Sequence, residues 1–407
     1  MNASRLGFRY LALLTLAYGA GVISYVPLLT LLLPMKVEAV AGLDKVAVLS
    51  LATLAGAAVA GPANILAGHL SDVSVRRGAG RRRWVIAGLV AVLASYALLL
   101  GCRTPASVVL GVVLFQVAVN LMLAPLMALV ADEAPDEQKG LVGGLFGAVY
   151  PLGSVAGVLV TAWPEMTETV RMAIVGGLVI VGLTPFLALT RAPAVLNLTA
   201  PSPVQRAVGA RNLTLVWLAR LLVQVAGAIL FCFSLFYFET VRGAASEPKL
   251  LAASVAWLSG AAAVVTVPVA VVVGRWSDLA GTRKPFLAAS AGLVTVGLLV
   301  MAMLPEWSPA SVGFILFACG SAVFLSLQST YAMQLLPSGE HRGRDLGVLN
   351  LTNTIPSMVA AVLAYAVARV GDFSALLLLL AVFTAAGGGL MLLVRDRASD
   401  AAGLAER

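Results

Sequence analysis

The chain has 407 residues, of which 60% are hydrophobic and only 11% charged, and its mean hydropathy is +0.98. Soluble proteins average about 45–50% apolar and about 25% charged, so a soluble enzyme, a nucleic-acid binder and a disordered scaffold are excluded, and an integral membrane protein remains. The net charge of +8 then reads as basic cytoplasmic loops rather than a nucleic-acid surface.

Apolar runs bounded by charged or turn residues predict twelve spans, at 8–34, 46–69, 84–102, 106–131, 141–163, 171–190, 213–239, 250–273, 286–304, 310–335, 344–368 and 373–394. Crossing the hydrocarbon takes about 20 residues each, which leaves short loops and no room for a soluble domain. The first run is too long for a signal-peptide core and lacks a small-residue cleavage site, so it is expected to stay as a helix. With both termini inside, the cytoplasmic segments carry 18 of the 27 Lys and Arg residues and the outer segments 7. That bias predicts a multi-pass protein of the cell (inner) membrane with both termini cytoplasmic.

In chain order, Tyr18 and Tyr25 stand seven apart on the first span, hence on one face. The second span runs into Gly68-His-Leu-Ser-Asp72, followed by Gly80-Arg81-Arg82-Arg83. On the fourth, Gln116 and Asn120 share a face, and its end carries Asp132 and Glu133 ahead of Pro135-Asp-Glu-Gln-Lys139-Gly140. Tyr150 lies in the fifth. The stretch 191–212, with Pro193, Pro201 and Pro203, is the longest connection and reads as a cytoplasmic linker between an N-terminal six-helix bundle, 1–190, and a C-terminal one, 213–407.

The second half repeats the first. The seventh span carries Arg220 and Gln224 and ends near Glu239. The eighth runs into Gly274-Arg-Trp-Ser-Asp278 and then Gly281-Thr-Arg283-Lys-Pro285, and Pro337-Ser-Gly-Glu-His-Arg342-Gly343 echoes the segment after the fourth span. The tenth span holds Gln328 and Tyr331, and the eleventh holds Asn350 and Asn353. Parallel six-helix repeats place a substrate site midway between the halves. Polar residues deep in apolar spans are costly and usually face a cavity. Tyr18, Tyr25, Gln116, Asn120, Tyr150, Arg220, Gln224, Gln328, Tyr331, Asn350 and Asn353 are therefore the candidate substrate contacts. Neutral amides and aromatic rings suit hydroxyl-rich ligands. Arg220 also fits an anionic solute or a structural pair. Cys102, Cys232 and Cys319 read as buried thiols with no metal spacing.

The doubled G-x-x-S-D motif with its basic sequel resembles the signature of the major facilitator superfamily, and the likeness covers essentially the whole chain. Asn120-Leu-Met-Leu-Ala-Pro125 through Asp132, Lys139-Gly140 through Gly147, and Trp217-Leu-Ala-Arg220 leading to Phe236-Tyr237-Phe238-Glu239 are similar to the branch holding sucrose–proton symporters and the glycoside–pentoside–hexuronide symporters. The chain departs from the pattern in three ways. Gly80 follows Asp72 by eight positions, Trp84 stands where relatives carry Pro, and the second span holds no acid.

The resemblance implies an all-α fold of twelve membrane helices in two pseudo-symmetric bundles, working by alternating access. It makes Asp72, Arg81, Arg82, Asp278, Arg283 and Arg344 gating residues. Asp72 is then expected beside the start of the eleventh helix at Gly343 and Arg344, and Asp278 beside Lys139 and Gly140. Arg81 to Arg83 are expected to pair with Asp132, Glu133, Asp136 or Glu137. Asp132, Glu133, Glu239 and His69 are the candidates for proton coupling. The expected partners are a small-molecule substrate, protons and the lipid bilayer, with no nucleic acid and a monomer as the default. No P-loop, metal constellation or triad is present, so neither a cofactor nor enzyme activity is expected. Uptake of a sugar or glycoside with protons leads. An exporter of amphipathic drugs or metabolites, an uncoupled facilitator, and a receptor or assembly factor on the same fold are the alternatives.

Overall fold

The structure is a computed structural model that describes residues 6–41, 44–134, 165–190, 203–242, 248–335, 341–370 and 373–395, with scattered positions between 138 and 163. Regular structure among the described residues is helical throughout. The helices are α1 (Phe8–Ala41), α2 (Lys45–Arg76), α3 (Arg82–Gly101), α4 (Pro105–Glu133), α5 (Glu168–Leu189), α6 (Pro203–Arg242), α7 (Pro248–Ala280), α8 (Lys284–Met303), α9 (Trp307–Leu335), α10 (Arg342–Val370) and α11 (Phe373–Leu392). Described residues in 142–161 are helical as well. Among the described residues ten helices are long and apolar enough to cross a membrane. Of the two other predicted spans, 344–368 forms most of α10, and 141–163 falls largely outside the described residues.

Helix ends depart from the predicted spans where polar residues extend an apolar helix. α1 continues past 34 to Ala41 because buried Lys36 is satisfied there: its Nζ reaches Glu168 at 3.0 Å and the Leu100 carbonyl at 3.3 Å. Pro27 lacks a backbone N–H, and the turn that follows it, Leu28–Leu32, is π-helical, with Leu33 N–H bonded to the Leu28 carbonyl. α2 is 32 residues long, about 48 Å at 1.5 Å per residue, which exceeds the hydrocarbon thickness of about 30 Å. Asp72 therefore lies a full turn inside the helix rather than closing it. α6 begins at Pro203, inside the stretch read as linker; Asn212 accepts from Arg395 N–H at 3.1 Å and donates to its carbonyl at 2.9 Å.

Starts are set by local chemistry. Thr104 caps α4, its hydroxyl accepting from Ser107 N–H at 3.2 Å while Ser107 Oγ accepts from Thr104 N–H at 3.0 Å, with Pro105 at the first helical position. Thr167 caps α5 by accepting from Val170 N–H at 3.3 Å.

Two compact units result. One comprises 1–200 together with 338–354, and the other 201–337 with 355–407. In the first, α2 and α3 pack on α4, and α1 on α5. In the second, α8 packs on α9 and α11, around Phe233, Tyr237, Phe238 and Phe314. Cys102 and Cys319 are buried free thiols; the side chain of Cys232 lies outside the described residues.

Candidate functional site

The first unit contains a buried ionic network where α2, α3 and α4 meet the N-terminus of α10. After α2 the chain reverses through Gly78 and Gly80, both at positive φ (75° and 66°), a conformation glycine adopts without steric cost. The reversal returns Arg81 beneath the last turn of α2. There Arg81 Nη1 donates to Asp72 Oδ1 and to Ser71 Oγ, both at 2.7 Å, and Nε donates to Asp132 Oδ2 at 2.6 Å. The Arg81 and Asp72 side chains are 1% and 0% exposed. A charge pair this deep is tolerable only when every polar atom is engaged.

The remaining capacity of Asp72 goes to a helix N-terminus. Gly343 N–H donates to Oδ1 at 2.9 Å and Arg344 N–H to Oδ2 at 3.0 Å. The first N–H groups of a helix have no intrahelical acceptor, and the macrodipole favours an anion there. The approach requires glycine at the crossing: a Cβ on Gly68 would lie 2.2 Å from the Gly343 carbonyl oxygen, and one on Gly343 would lie 2.5 Å from the Gly68 oxygen. Arg342 completes the set, donating from Nη1 to Asp132 Oδ1 at 3.1 Å and to the Ala131 carbonyl at 3.2 Å. Two carboxylates and two guanidinium groups thus alternate between α2, α3, α4 and α10.

The other predicted arginines do different work. Arg82 Nη1 donates to the Thr190 carbonyl and, at 2.7 Å, to Thr190 Oγ1. Its guanidinium lies 4.9 Å from the Phe186 ring centroid, with Nη2 3.7 Å from Glu133 Oε1. Arg83, expected on a carboxylate, instead donates from Nε to Ser74 Oγ at 2.7 Å, because the loop brings that hydroxyl closest. Arg344 meets Asp72 through its backbone; its guanidinium turns to Asp345, at 2.9 and 3.0 Å. Asp136, Glu137, Lys139 and Gly140 lie outside the described residues. In the second unit Asp278 is 49% exposed and accepts from Arg283 Nη2 at 3.0 Å.

The candidate substrate residues separate into groups. Asn120 is buried and accepts from Asn64 Nδ2 at 2.7 Å, while its own Nδ2 donates to the Gln116 carbonyl at 2.8 Å. Gln116 is half-buried against Gly56. Tyr18 stacks on Phe146 at 3.9 Å between centroids, and Tyr25 is half-buried. Asn353 donates to Asn350 at 2.7 Å on the same face of α10. In the second unit Arg220 Nη1 donates to Gln328 Oε1 at 2.5 Å and Ser329 Oγ at 2.8 Å, and the wholly buried Gln328 donates to the Val216 carbonyl at 3.2 Å. Tyr331 is buried and Gln224 half-buried. Tyr150 lies outside the described residues. Among the proton candidates, Asp132 is in the ionic network, Glu239 is exposed, and His69 is half-buried with Nδ1 accepting no hydrogen bond.

Sequence reasoning missed Asn64, Ser71 and Arg342 as site residues. Arg342 stands inside the Pro337–Gly343 echo, and its helix-start position was the available signal. Asn64 is a single amide in an apolar run, one residue type and one spacing short of a pattern.

The geometry and the comparisons agree on the class. The family model of the Major Facilitator Superfamily matches residues 11–246 and 243–407, and the chain belongs to that superfamily. It is therefore a multi-pass membrane transporter that moves a small-molecule substrate, in a family of transporters and not of enzymes. No curated protein matches the chain. Solved structures are similar over nearly its full length. A bacterial homologue of the iron transporter ferroportin, outward-facing with soaked iron, matches with a TM-score of 0.74 at 13% identity, covering 96% of this chain and 100% of that one. The human organic anion transporter MFSD10 (TETRAN) gives 0.68 at 15%, covering 94% and 99%. A variant of the E. coli fucose:proton symporter FucP gives 0.67 at 12%, covering 96% and 99%. At these identities the likeness is one of fold.

Proposed function

We propose that the chain takes up a sugar or glycoside together with protons by alternating access, with both termini on the cytoplasmic side and the monomer as the working unit. The observation that carries the alternating-access part is the capping of α10 by Asp72. It is a buried contact made largely of backbone N–H donors, which a helix can leave and regain without repacking a core. In this reading the contact holds the cytoplasmic side shut while the outer side is open, and Arg81 and Arg342 keep the carboxylates in place. Support for a hydroxyl-rich solute comes from residue chemistry: Tyr18, Tyr25, Gln116 and Gln224 are neutral and at least partly accessible. The resemblance to the sucrose and glycoside symporter branch points the same way.

The Asn64–Asn120 pair is better read as interhelical glue, a role worth about 0.6–2 kcal/mol per contact in membranes. Arg220 favours a second reading, an anionic solute, because Gln328 and Ser329 fix its guanidinium in place on a membrane helix.

The test is uptake by purified protein in liposomes of labelled sucrose, maltose and trehalose, with and without an inwardly directed proton gradient. Gradient-stimulated accumulation supports symport. Saturable entry without accumulation makes the protein an uncoupled facilitator. Absence of sugar flux from folded protein overturns the sugar assignment and directs the search to organic anions and to export of amphipathic compounds.

A further inference from the structure

Resting on the proton-coupled reading, we propose that Glu133 is the residue that carries the coupled proton. It closes α4, its side chain is 6% exposed, and its Oε2 is buried and accepts no hydrogen bond. Arg82 is the nearest cation, but its Nη2 stands 3.7 Å from Oε1, beyond hydrogen-bond reach. Arg82 is committed elsewhere: Nη1 is spent on Thr190, the plane lies on Phe186, and Nε and Nη2 are buried without acceptors. An ionised Glu133 in this arrangement is a desolvated anion whose Oε2 accepts no hydrogen bond, placed at the negative end of the α4 macrodipole. The neutral acid avoids both costs.

The adjacent Asp132 shows the opposite arrangement on the same helix turn. It accepts from Arg81 at 2.6 Å through one oxygen and from Arg342 at 3.1 Å through the other, so each carboxylate oxygen has a donor. Adjacent carboxyl groups with such different hydrogen-bond partners mark a division of labour. The groups facing Glu133 are few among the described residues. α3 offers Arg82; behind Arg82 stand Phe186 of α5, Thr190 at its end, and Tyr10 of α1, whose ring meets Phe186 and whose hydroxyl is buried without a hydrogen bond. α4 itself offers Asp132, turned to its own arginines.

The proton passes from the Glu133 carboxylic acid to water when the N-terminus of α10 leaves α4 and solvent reaches the helix end. The carboxylate then draws in Arg82, whose Nε and Nη2 are without acceptors for that purpose. Loss of the proton thus tightens α3 on α4 beside Asp132, the residue that holds Arg342. Titration of Glu133 and release of the gate are coupled through adjacent residues.

The test is difference infrared spectroscopy of the full-length protein in lipid across a pH titration. The wild type is expected to show a protonated-carboxyl C=O band that is lost as pH rises, and Glu133→Gln to lack that band. Arg82→Gln removes the nearby cation and should move the midpoint up by about 1 pH unit or more, an arm that stands even where Glu133→Gln fails to fold. A band unchanged in Glu133→Gln, or a midpoint unmoved in Arg82→Gln, overturns the proposal. Sucrose uptake separates the two readings. Proton-driven accumulation that persists in Glu133→Gln overturns the Glu133 assignment and leaves symport standing. A band lost in Glu133→Gln, with no sugar flux in the wild type, supports the proton site and overturns the sugar.

Discussion

The two copies of the G-x-x-S-D signature are alike in sequence and unlike in structure. Asp72 is wholly buried between Arg81 and the N–H groups of α10, whereas Asp278 is half exposed and bonded to Arg283, five residues away. Gly68 sits against the Gly343 backbone, while its repeat partner Gly274 has no described residue within 4 Å of where a Cβ would stand. The loops differ too: the first turns through Gly78 and Gly80 to bury its arginine, and the second closes at once through Gly281, at a φ of 65°. In the first copy the carboxylate caps a docked helix N-terminus; the segment expected beside the second copy, Lys139 and Gly140, lies outside the described residues.

The largest expected effect breaks the buried copy. Asp72→Ala leaves Arg81 with Asp132 as its one carboxylate beside Ser71 and strips two N–H groups of α10 of their acceptor. Removing one partner of a buried pair costs about 3–5 kcal/mol, and transport turnover should fall with it. The matched Asp278→Ala removes an exposed pair worth about 0–1 kcal/mol. Unfolding in detergent followed by tryptophan fluorescence checks both, and equal losses would end the distinction between the two copies.

Next comes the crossing itself. Gly68→Ala places a methyl 2.2 Å from the Gly343 oxygen, a backbone atom with no rotamer to yield. The helices must separate, at a cost of about 1–3 kcal/mol for an overpacked contact. The gap should show as faster cross-linking or labelling of a cysteine placed at Ser71, which the docked helix otherwise shields. Labelling that stays at the wild-type rate would mean the crossing adapts elsewhere.

How much of this was legible in the sequence follows from the range over which each feature is determined. Helix identity is local: apolar length, the Thr104-Pro105 start and the glycine turn after Arg77 are written in consecutive residues, and the described helices lie on the expected spans. Helix length was less legible, since hydropathy marks the membrane core and not where the backbone stops. α2 keeps its helix through Ser71, Asp72 and Ser74 because after Gly68 the next glycine comes only at 78. The doubled signature pointed to Asp72 and Arg81 through its resemblance to the superfamily motif. Arg342 and Asn64 stayed hidden because their roles depend on which residue another helix brings to them. Asp132 and Glu133 look equivalent as adjacent acids; only the side on which Arg81, Arg342 and Arg82 arrive tells them apart.

The smallest effect tests the comparison from its open side. Gly274→Ala should be neutral or stabilising by up to about 1 kcal/mol, since alanine exceeds glycine in helix propensity by that amount and no described neighbour stands within 4 Å of the added methyl. The same change one repeat earlier is the disruptive Gly68→Ala. The pair, read by thermal unfolding in one detergent, isolates packing from propensity: identical substitutions in equivalent helices, opposite in sign. Should Gly274→Ala prove as costly as Gly68→Ala, the glycine at this position would serve the helix itself in both copies, and the docking of α10 would no longer explain why the first copy carries it.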